Sequence, residues 1–567
     1  MVMGMATVVT ATVANSRFNE VHAGKMKKRL SSSLNRSMQR NSVESRLARP
    51  SLLALIYPTE TPPVLFAALL TVLAAGAPCV NAQTSDATGA RPSLSVVPRV
   101  SISETWTDNV RLSTDDRQSE LITVLSPGIR ISGDRGRLKG YFDYALNARY
   151  FAQNTSAADI QNALTAFGTL EAVENWAFVD LSAGISQQSV SALGAPLVGS
   201  TALSGNQNES ATVRLSPYVR GRLAGTVDYE ARYSLAANRN KASTVSDTNS
   251  RDASVRLSGR GAGARLGWSL TAQQQSTSYS AGRTTESDLI SAGVNYAVLP
   301  EVTLRVSAGQ QSNNLTTAGR ESSATFGYGV SWIPSQSTSF LASRDTQPFG
   351  DSFSISASHR TPRTAWRFTD SRSIANPAAQ NGLVTPGSAF DIFFNQFAGT
   401  EPDPVKRAAL VNSFLQANGI DPNSSVTTPF ATSAASVVRR QDLSFSLLGI
   451  RDTVTFIATR SESSRLDSLS SAVDDLSNGA VVRQSGLSVS YSHRLTPISS
   501  MSVLASTSQS SDSLGSQDNS NRLLNLSFST RLGLKTTAAV SARHVVFESN
   551  TSPYTESAIT GTVNVQF

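Results

Sequence analysis

The sequence predicts an all-β protein: a transmembrane, antiparallel outer-membrane β-barrel of about 22 strands with one long, partly helical loop. Three observations carry this expectation. An apolar export signal precedes the folded part, strands with period-two alternation run through the rest of the chain, and short and long connections alternate between them.

The export signal is Val64–Ala77, a 14-residue apolar run. It is short for a membrane-spanning helix and matches the core of a signal peptide, with basic residues upstream. Val80, Asn81 and Ala82 place small residues at the −3 and −1 positions, so cleavage is expected after Ala82. The alternative, a buried core helix, fits poorly with the polar, turn-rich sequence that follows. Residues 1–82 thus form an N-terminal extension and signal peptide, with Met26 or Met38 as alternative starts, and residues 83–567 form the barrel. Cys79 follows Gly76-Ala77-Pro78 rather than the pattern that precedes a lipidated cysteine.

Composition narrows the function classes. The formal charge is +8, but nine basic and only three acidic residues lie within residues 1–82, which leaves a net +2 for 83–567. A nucleic-acid partner is therefore not expected, since it would need a basic folded surface. One cysteine and four histidines (His22, His359, His493, His544) leave no Cys-based metal site or disulfide. No phosphate loop, paired carboxylates or nucleophile–base pair stands out, so no catalytic residue, metal or cofactor is expected and the protein is read as a non-enzyme. His359-Arg360 and His493-Arg494 both end a strand before a short turn and read as interfacial polar caps.

From about Pro92 the apolar residues alternate. Val227, Tyr229, Ala231, Tyr233 and Leu235 form one face of a strand whose other face is Asp228, Glu230, Arg232 and Ser234. A soluble sandwich would bury that apolar face, whereas a membrane barrel turns it to lipid and keeps a polar interior. Connection length decides for the barrel. Ten short turns lie near Asp134–Arg135, Val173–Asn175, Arg222–Ala224, Arg260–Gly261, Pro300, Pro334, Thr361–Arg363, Ile450–Arg451, Pro497 and Gly533, with longer Ser/Asn/Asp/Thr-rich segments between them. With both termini on the short-turn side, ten turns give 22 strands. Trp176, Trp268, Trp332 and Trp366 lie near short turns, where an interfacial girdle belongs. The first strand (94–106) and last (556–567) should pair, because hydrocarbon tolerates no open edge. The terminal strand ends in Phe567, read as the signal for the barrel-assembly machinery.

On this reading the lumen-facing set includes Lys139, Asp143, Arg149, Asp228, Glu230, Arg232, Arg265 and Arg305, a mixture of signs that argues against strong ion selectivity. The exceptional connection is 374–436. Ser388–Phe397 clusters Phe390, Phe393, Phe394 and Phe397, and a second helix runs from Asp403-Pro404 to Asn418-Gly419 with Ala408, Val411, Phe414 and Leu415 on its apolar side. Phe390, Phe393, Phe397 and Phe414 are the constriction candidates of a loop that enters or covers the mouth. An extracellular cap with no transport role is the alternative. Only about ten residues separate Ala82 from the first strand, so no N-terminal plug is expected.

Four segments, Glu104–Ser113, Leu121–Tyr144, Glu174–Gln188 and Leu215–Leu223, carry a resemblance to the PEP-CTERM-system-associated outer-membrane proteins of Gram-negative bacteria. The resemblance extends more loosely to Phe567. That family accompanies exosortase and exopolysaccharide loci. The resemblance therefore implies a pore for exopolysaccharide export, with exopolysaccharide and export-system proteins as partners alongside outer-membrane lipid. A scaffold that binds polysaccharide or sorted proteins through its loops is the alternative, and an outer-membrane hydrolase a third.

Overall fold

The computed structural model describes residues 94–153, 155–196, 203–261, 265–375, 390, 393–394, 406–408, 410–412, 430–515 and 517–567. The chain divides at Thr84/Ser85, and the described residues all belong to the second unit. The expected signal peptide and its cleavage site lie outside them.

These residues build one closed, antiparallel sheet of 22 strands. They are β1 (Leu94–Thr107), β2 (Glu120–Arg135), β3 (Leu138–Phe151), β4 (Asp159–Val173), β5 (Ala177–Ser189), β6 (Gln207–Leu223), β7 (Val227–Asn240), β8 (Thr248–Arg260), β9 (Leu266–Tyr279), β10 (Thr284–Leu299) and β11 (Val302–Asn313). The ring continues with β12 (Glu321–Ser335), β13 (Thr338–Gln347), β14 (Gly350–Arg360), β15 (Thr364–Ala375), β16 (Ser436–Leu448), β17 (Asp452–Arg465), β18 (Val481–Thr496), β19 (Ser499–Asp512), β20 (Asp518–Arg531), β21 (Thr536–Ser549) and β22 (Tyr554–Gln566). Each strand pairs with its sequence neighbour. β1 and β22 close the ring in register from Arg99↔Gln566 to Thr107↔Ala558.

Strand alternation fixes the two faces. On β1, Val96, Val100, Ile102 and Trp106 are exposed, while Arg99, Ser101, Thr105 and Thr107 between them are partly or fully buried. The apolar parity continues around the ring through Leu125, Leu170, Leu270, Val294, Tyr328, Phe456, Leu487 and Ile559. A closed ring that pairs its backbone internally and turns an apolar face outward is the arrangement a bilayer demands. The protein is an outer-membrane β-barrel.

All ten expected short turns join consecutive strands at one end, the periplasmic end by the rule for this class. In the β6–β7 turn Ala224 and Gly225 both take positive φ (49° and 72°), a mirror-image turn that matches strand twist and favours glycine. Trp176, Trp332 and Trp366 are exposed at this end. The Trp176 indole donates to the Tyr229 hydroxyl at 2.8 Å, and Trp366 packs on Phe445 with centroids 4.1 Å apart. His359 and His493 also sit here, His359 Nδ1 with Thr338 (2.9 Å) and His493 Nδ1 with Asp452 (2.7 Å). At the outer end the expected size rule fails in three places: the β9–β10 and β21–β22 connections have four residues each, as short as the periplasmic β20–β21 turn, and the third is shorter still. β13 and β14 are joined by only Pro348 and Phe349, with Gly350 at φ 107° easing the return.

Candidate translocation lumen and its closure

The inward face has two unlike sectors. From β1 to β8 it is charged. Asp143 on β3 lies between Arg99 (2.5 Å) and Arg130 (2.8 Å) and accepts from the Tyr141 hydroxyl at 3.0 Å. Further round, Arg232 bonds Asp180 (2.8 Å) and Glu230 (3.1 Å) and lies 3.8 Å over the Tyr218 ring. Arg220 covers Phe178 at 4.4 Å. Arginine suits these sites because its planar fork bonds two acceptors while its face stacks on a ring.

The lumen candidates fall on inward parity. Lys139 pairs with Asp134 at 3.3 Å, and Arg149 pairs with Asp159 and lies 6.0 Å over Phe151. Asp228 pairs with Arg222 at 2.8 Å near the periplasmic turn. Arg265 stands in the β8–β9 connection, where its carbonyl accepts from Ala297. Arg305 on β11 faces Asn295 across the ladder and has no ion pair among the described residues. Most of these charges neutralise one another within the wall.

The second sector, β17 to β20, is different. Between their ends, the inward positions of β17 to β20 carry no charged side chain among the described residues. They are Thr453, Thr455, Ile457, Thr459, Ser461 and Ser463 on β17, then Gln484, Gly486, Ser488, Ser490 and Ser492 on β18. β19 adds Ser500, Ser502, Leu504, Ser506, Ser508 and Ser510, and β20 adds Asn521, Leu523, Asn525, Ser527 and Ser529. Hydroxyls bond across strands, as in Ser502–Ser527 (2.6 Å) and Ser500–Ser529 (2.9 Å).

The long β15–β16 connection leaves and returns at the outer end but reaches deep into the lumen. Its residues 406–408 and 410–412 are helical. The Asn412 amide donates to the Tyr141 hydroxyl at 3.0 Å, and Lys406 Nζ lies 3.7 Å from Asp134. Asp134 is next to last in β2, so the helix touches the wall beside a periplasmic turn. Ala408 and Val411 are fully buried. Of the constriction candidates, Phe393 is buried and Phe390 stacks on Phe394 at 5.6 Å, with Arg407 4.8 Å from the Phe394 ring. Phe397 and Phe414 lie outside the described residues.

A second closure crosses the mouth. The β5–β6 and β17–β18 loops start on opposite sides of the ring, yet they meet. Asp475 accepts from Ser191 Oγ (3.0 Å) and the Ala192 amide (2.6 Å). Ala192, Leu476 and Val482 form one apolar cluster with Phe430 packed against it. Arg283 in the β9–β10 turn pairs with buried Asp467 at 2.9 Å, and Ala431 donates to the Ser189 carbonyl at 3.1 Å. Sequence reading missed Asp134, Tyr141, Asp467 and Asp475 as closure residues. Only their partners' places in the fold mark them out.

Asp475 makes the crossing contact pH-dependent. Burial, with Asp474 adding like charge, raises its pKa above the ordinary carboxylate range despite the hydrogen bonds that favour the anion. The loop-closed state therefore holds its proton to higher pH than a free loop would. The contact is strongest below that range and weakens as pH rises through the window between the ordinary and the raised value. Hydrogen exchange at the Ala192 amide should speed up, beyond its intrinsic pH dependence, across that window. Asp475→Asn should abolish this excess, and protection that instead grows with pH would contradict the account.

Phe567 is exposed just beyond β22, with its amide donating to the Pro98 carbonyl at 2.9 Å across the seam.

No family model matches the chain, and no curated protein matches it. Among solved structures, the FrpB iron transporter of Neisseria meningitidis is similar over 83% of this chain and 81% of its own, at 12% identity and a TM-score of 0.45. The siderophore receptor PirA of Pseudomonas aeruginosa is similar over 83% and 80%, at 10% identity and a TM-score of 0.40. The alcaligin outer-membrane receptor FauA of Bordetella pertussis is similar over 83% and 76%, at 12% identity and a TM-score of 0.36. The outer-membrane assignment stands on the closed ring of strands and its apolar exterior.

Proposed function

We propose that this protein is a gated outer-membrane passage for a hydroxyl-rich polymer, an exopolysaccharide delivered by an export system. The observation that carries this reading is the uncharged, hydroxyl-rich wall of β17–β20. Serine and threonine hydroxyls donate and accept alike, so a sugar chain can exchange one hydrogen bond for the next as it slides. Such a wall holds no fixed charge that would trap an ion or demand one. The charged sector of the lumen serves a different end, because it holds the β15–β16 segment through Asp134 and Tyr141. The resemblance to the PEP-CTERM-associated proteins supports the same substrate class.

A second reading is a surface scaffold that binds polysaccharide or sorted proteins. The interlocked outer loops, Ser191 with Asp475 and Arg283 with Asp467, favour it, because they present a fixed surface. Deleting the gene separates the two. A passage predicts polysaccharide retained inside the cell envelope, while a scaffold predicts normal secretion with loss of surface attachment. Normal secretion and normal attachment together would defeat both.

A further inference from the structure

The exterior breaks its apolar pattern on one side. Tyr328, Arg344, Phe353, Arg372, Arg439, Glu462 and Arg483 stand in one register row across β12–β18. They share the outward parity of Trp366, Phe368, Leu443 and Phe445. Asp370, Gln441 and Arg460 form the next row toward the periplasm.

Arg344 and Asp370 each lie six residues into their strands. At the rise and tilt of barrel strands that is about 15 Å above the periplasmic end, well within an apolar band expected to be about 25 Å tall. β13, β14 and β15 are also short, with 10, 11 and 12 residues. By contrast β12 keeps an apolar exterior from Trp332 through Val330 and Tyr328 to Phe326.

The carboxylates do not neutralise this face. Asp351 takes Arg344, Asp370 takes Arg439 at 2.9 Å, and Glu462 takes Arg483 at 3.5 Å. Among the described residues Arg372 hydrogen-bonds only the Asp351 carbonyl, at 2.8 Å, and shares the nearby Asp351 carboxylate with Arg344, while exposed Arg460 has no partner. Arg372 and Arg439 are direct cross-strand partners, a like-charge placement that is unfavourable unless an anion lies between them. The outward charges of β10–β12 have the opposite balance, with Glu286 and Asp288 around Arg320.

We propose that the β13–β17 exterior is a binding site for the phosphorylated headgroup of an outer-leaflet lipid. The short apolar run thins the leaflet and draws the headgroup down the wall. Its phosphate accepts from the guanidinium groups of Arg372, Arg439 and Arg460, and its acyl chains lie on Phe368, Phe445 and Phe456 below. The anion removes the Arg372–Arg439 conflict and neutralises the excess charge.

The test uses the full chain, folded in nonionic detergent and loaded with radiolabelled dioleoyl phosphatidic acid, with retained label measured after gel filtration. The wild type should retain the lipid. Arg372→Gln/Arg460→Gln, which leaves every ion pair of the patch intact, should reduce retention roughly tenfold or more. Arg460→Gln alone should give a smaller loss in the same direction, and Arg522→Gln on β20, three strands beyond the patch, should retain lipid fully. Heat-modifiable gel migration reports whether each variant is folded. Equal retention by the folded double variant, or equal retention of dioleoylglycerol by the wild type, would overturn the proposal. So would a dimer that forms without lipid and is lost in the double variant, because a second copy would then be the occupant.

Discussion

Excising residues 390–412, joining the flanks with a flexible linker and releasing the crossing loops with Asp475→Ala should turn the barrel into a continuously conducting pore. The ring of 22 strands is wider than the 16- to 18-stranded porins that already hold an aqueous channel, so open steps in planar bilayers should exceed theirs. The wild-type chain should stay mostly closed under the same conditions. The strands themselves lose nothing by the excision, because β15 and β16 pair directly from Thr364↔Leu447 to Ala375↔Ser436. A graded version is available. Asn412→Leu removes one hydrogen bond to Tyr141, worth about 1 kcal/mol, which should raise the open fraction roughly fivefold. Lys406→Glu should act in the same direction by facing Asp134 with like charge. If the excised Asp475→Ala barrel is folded by heat-modifiable migration yet conducts no more than Asp475→Ala alone, the segment is not the gate.

Glu556→Ala should cost about 3–5 kcal/mol of barrel stability, the usual effect of removing one partner from a buried ion pair. Glu556 sits on β22 at the seam with its side chain fully buried. It accepts from the Arg543 guanidinium at 2.8 Å and from Thr107 Oγ1 of β1, also at 2.8 Å. Alanine leaves the Arg543 charge buried without its carboxylate and removes the Thr107 side-chain bond from the seam, whose backbone pairing remains. Glu556→Gln keeps the acceptor oxygen and the volume, so its loss should be smaller. Urea unfolding from lipid vesicles, followed by tryptophan fluorescence, reads both values. A loss for alanine no larger than that for an exposed pair such as Arg522–Glu548 would show that the seam does not depend on this contact.

The strand frame was legible because it is written locally. Alternating residues such as Tyr229 and Glu230 mark the two faces, and each periplasmic turn carries its own Gly, Pro or Asn signal. The expected strand number, the ten turns and the seam between the first and last strands match the ring. The Pro348–Phe349 hairpin escaped because the size rule averages over loops, although Gly350 right after it was a visible cue. The closure was much less legible. A phenylalanine cluster and an apolar stripe announce helices in the 374–436 connection, but nothing in their spacing names Tyr141 or Asp134 as the docking wall. Asp475 reads as an ordinary loop aspartate until the fold brings Ser191 across the mouth. Contacts between segments hundreds of residues apart leave no periodic trace.

The docking segment is fastened at both ends to neighbouring strands, β15 and β16. Release and recapture are therefore intramolecular events, and the tether keeps the local concentration of the released helix in about the millimolar range. Bonds as modest as Asn412 to Tyr141 can then hold the leak shut, where a separately assembled stopper would need far tighter affinity. A passing polymer would have little work to do in pushing the segment aside, and resealing would begin as soon as its trailing end cleared.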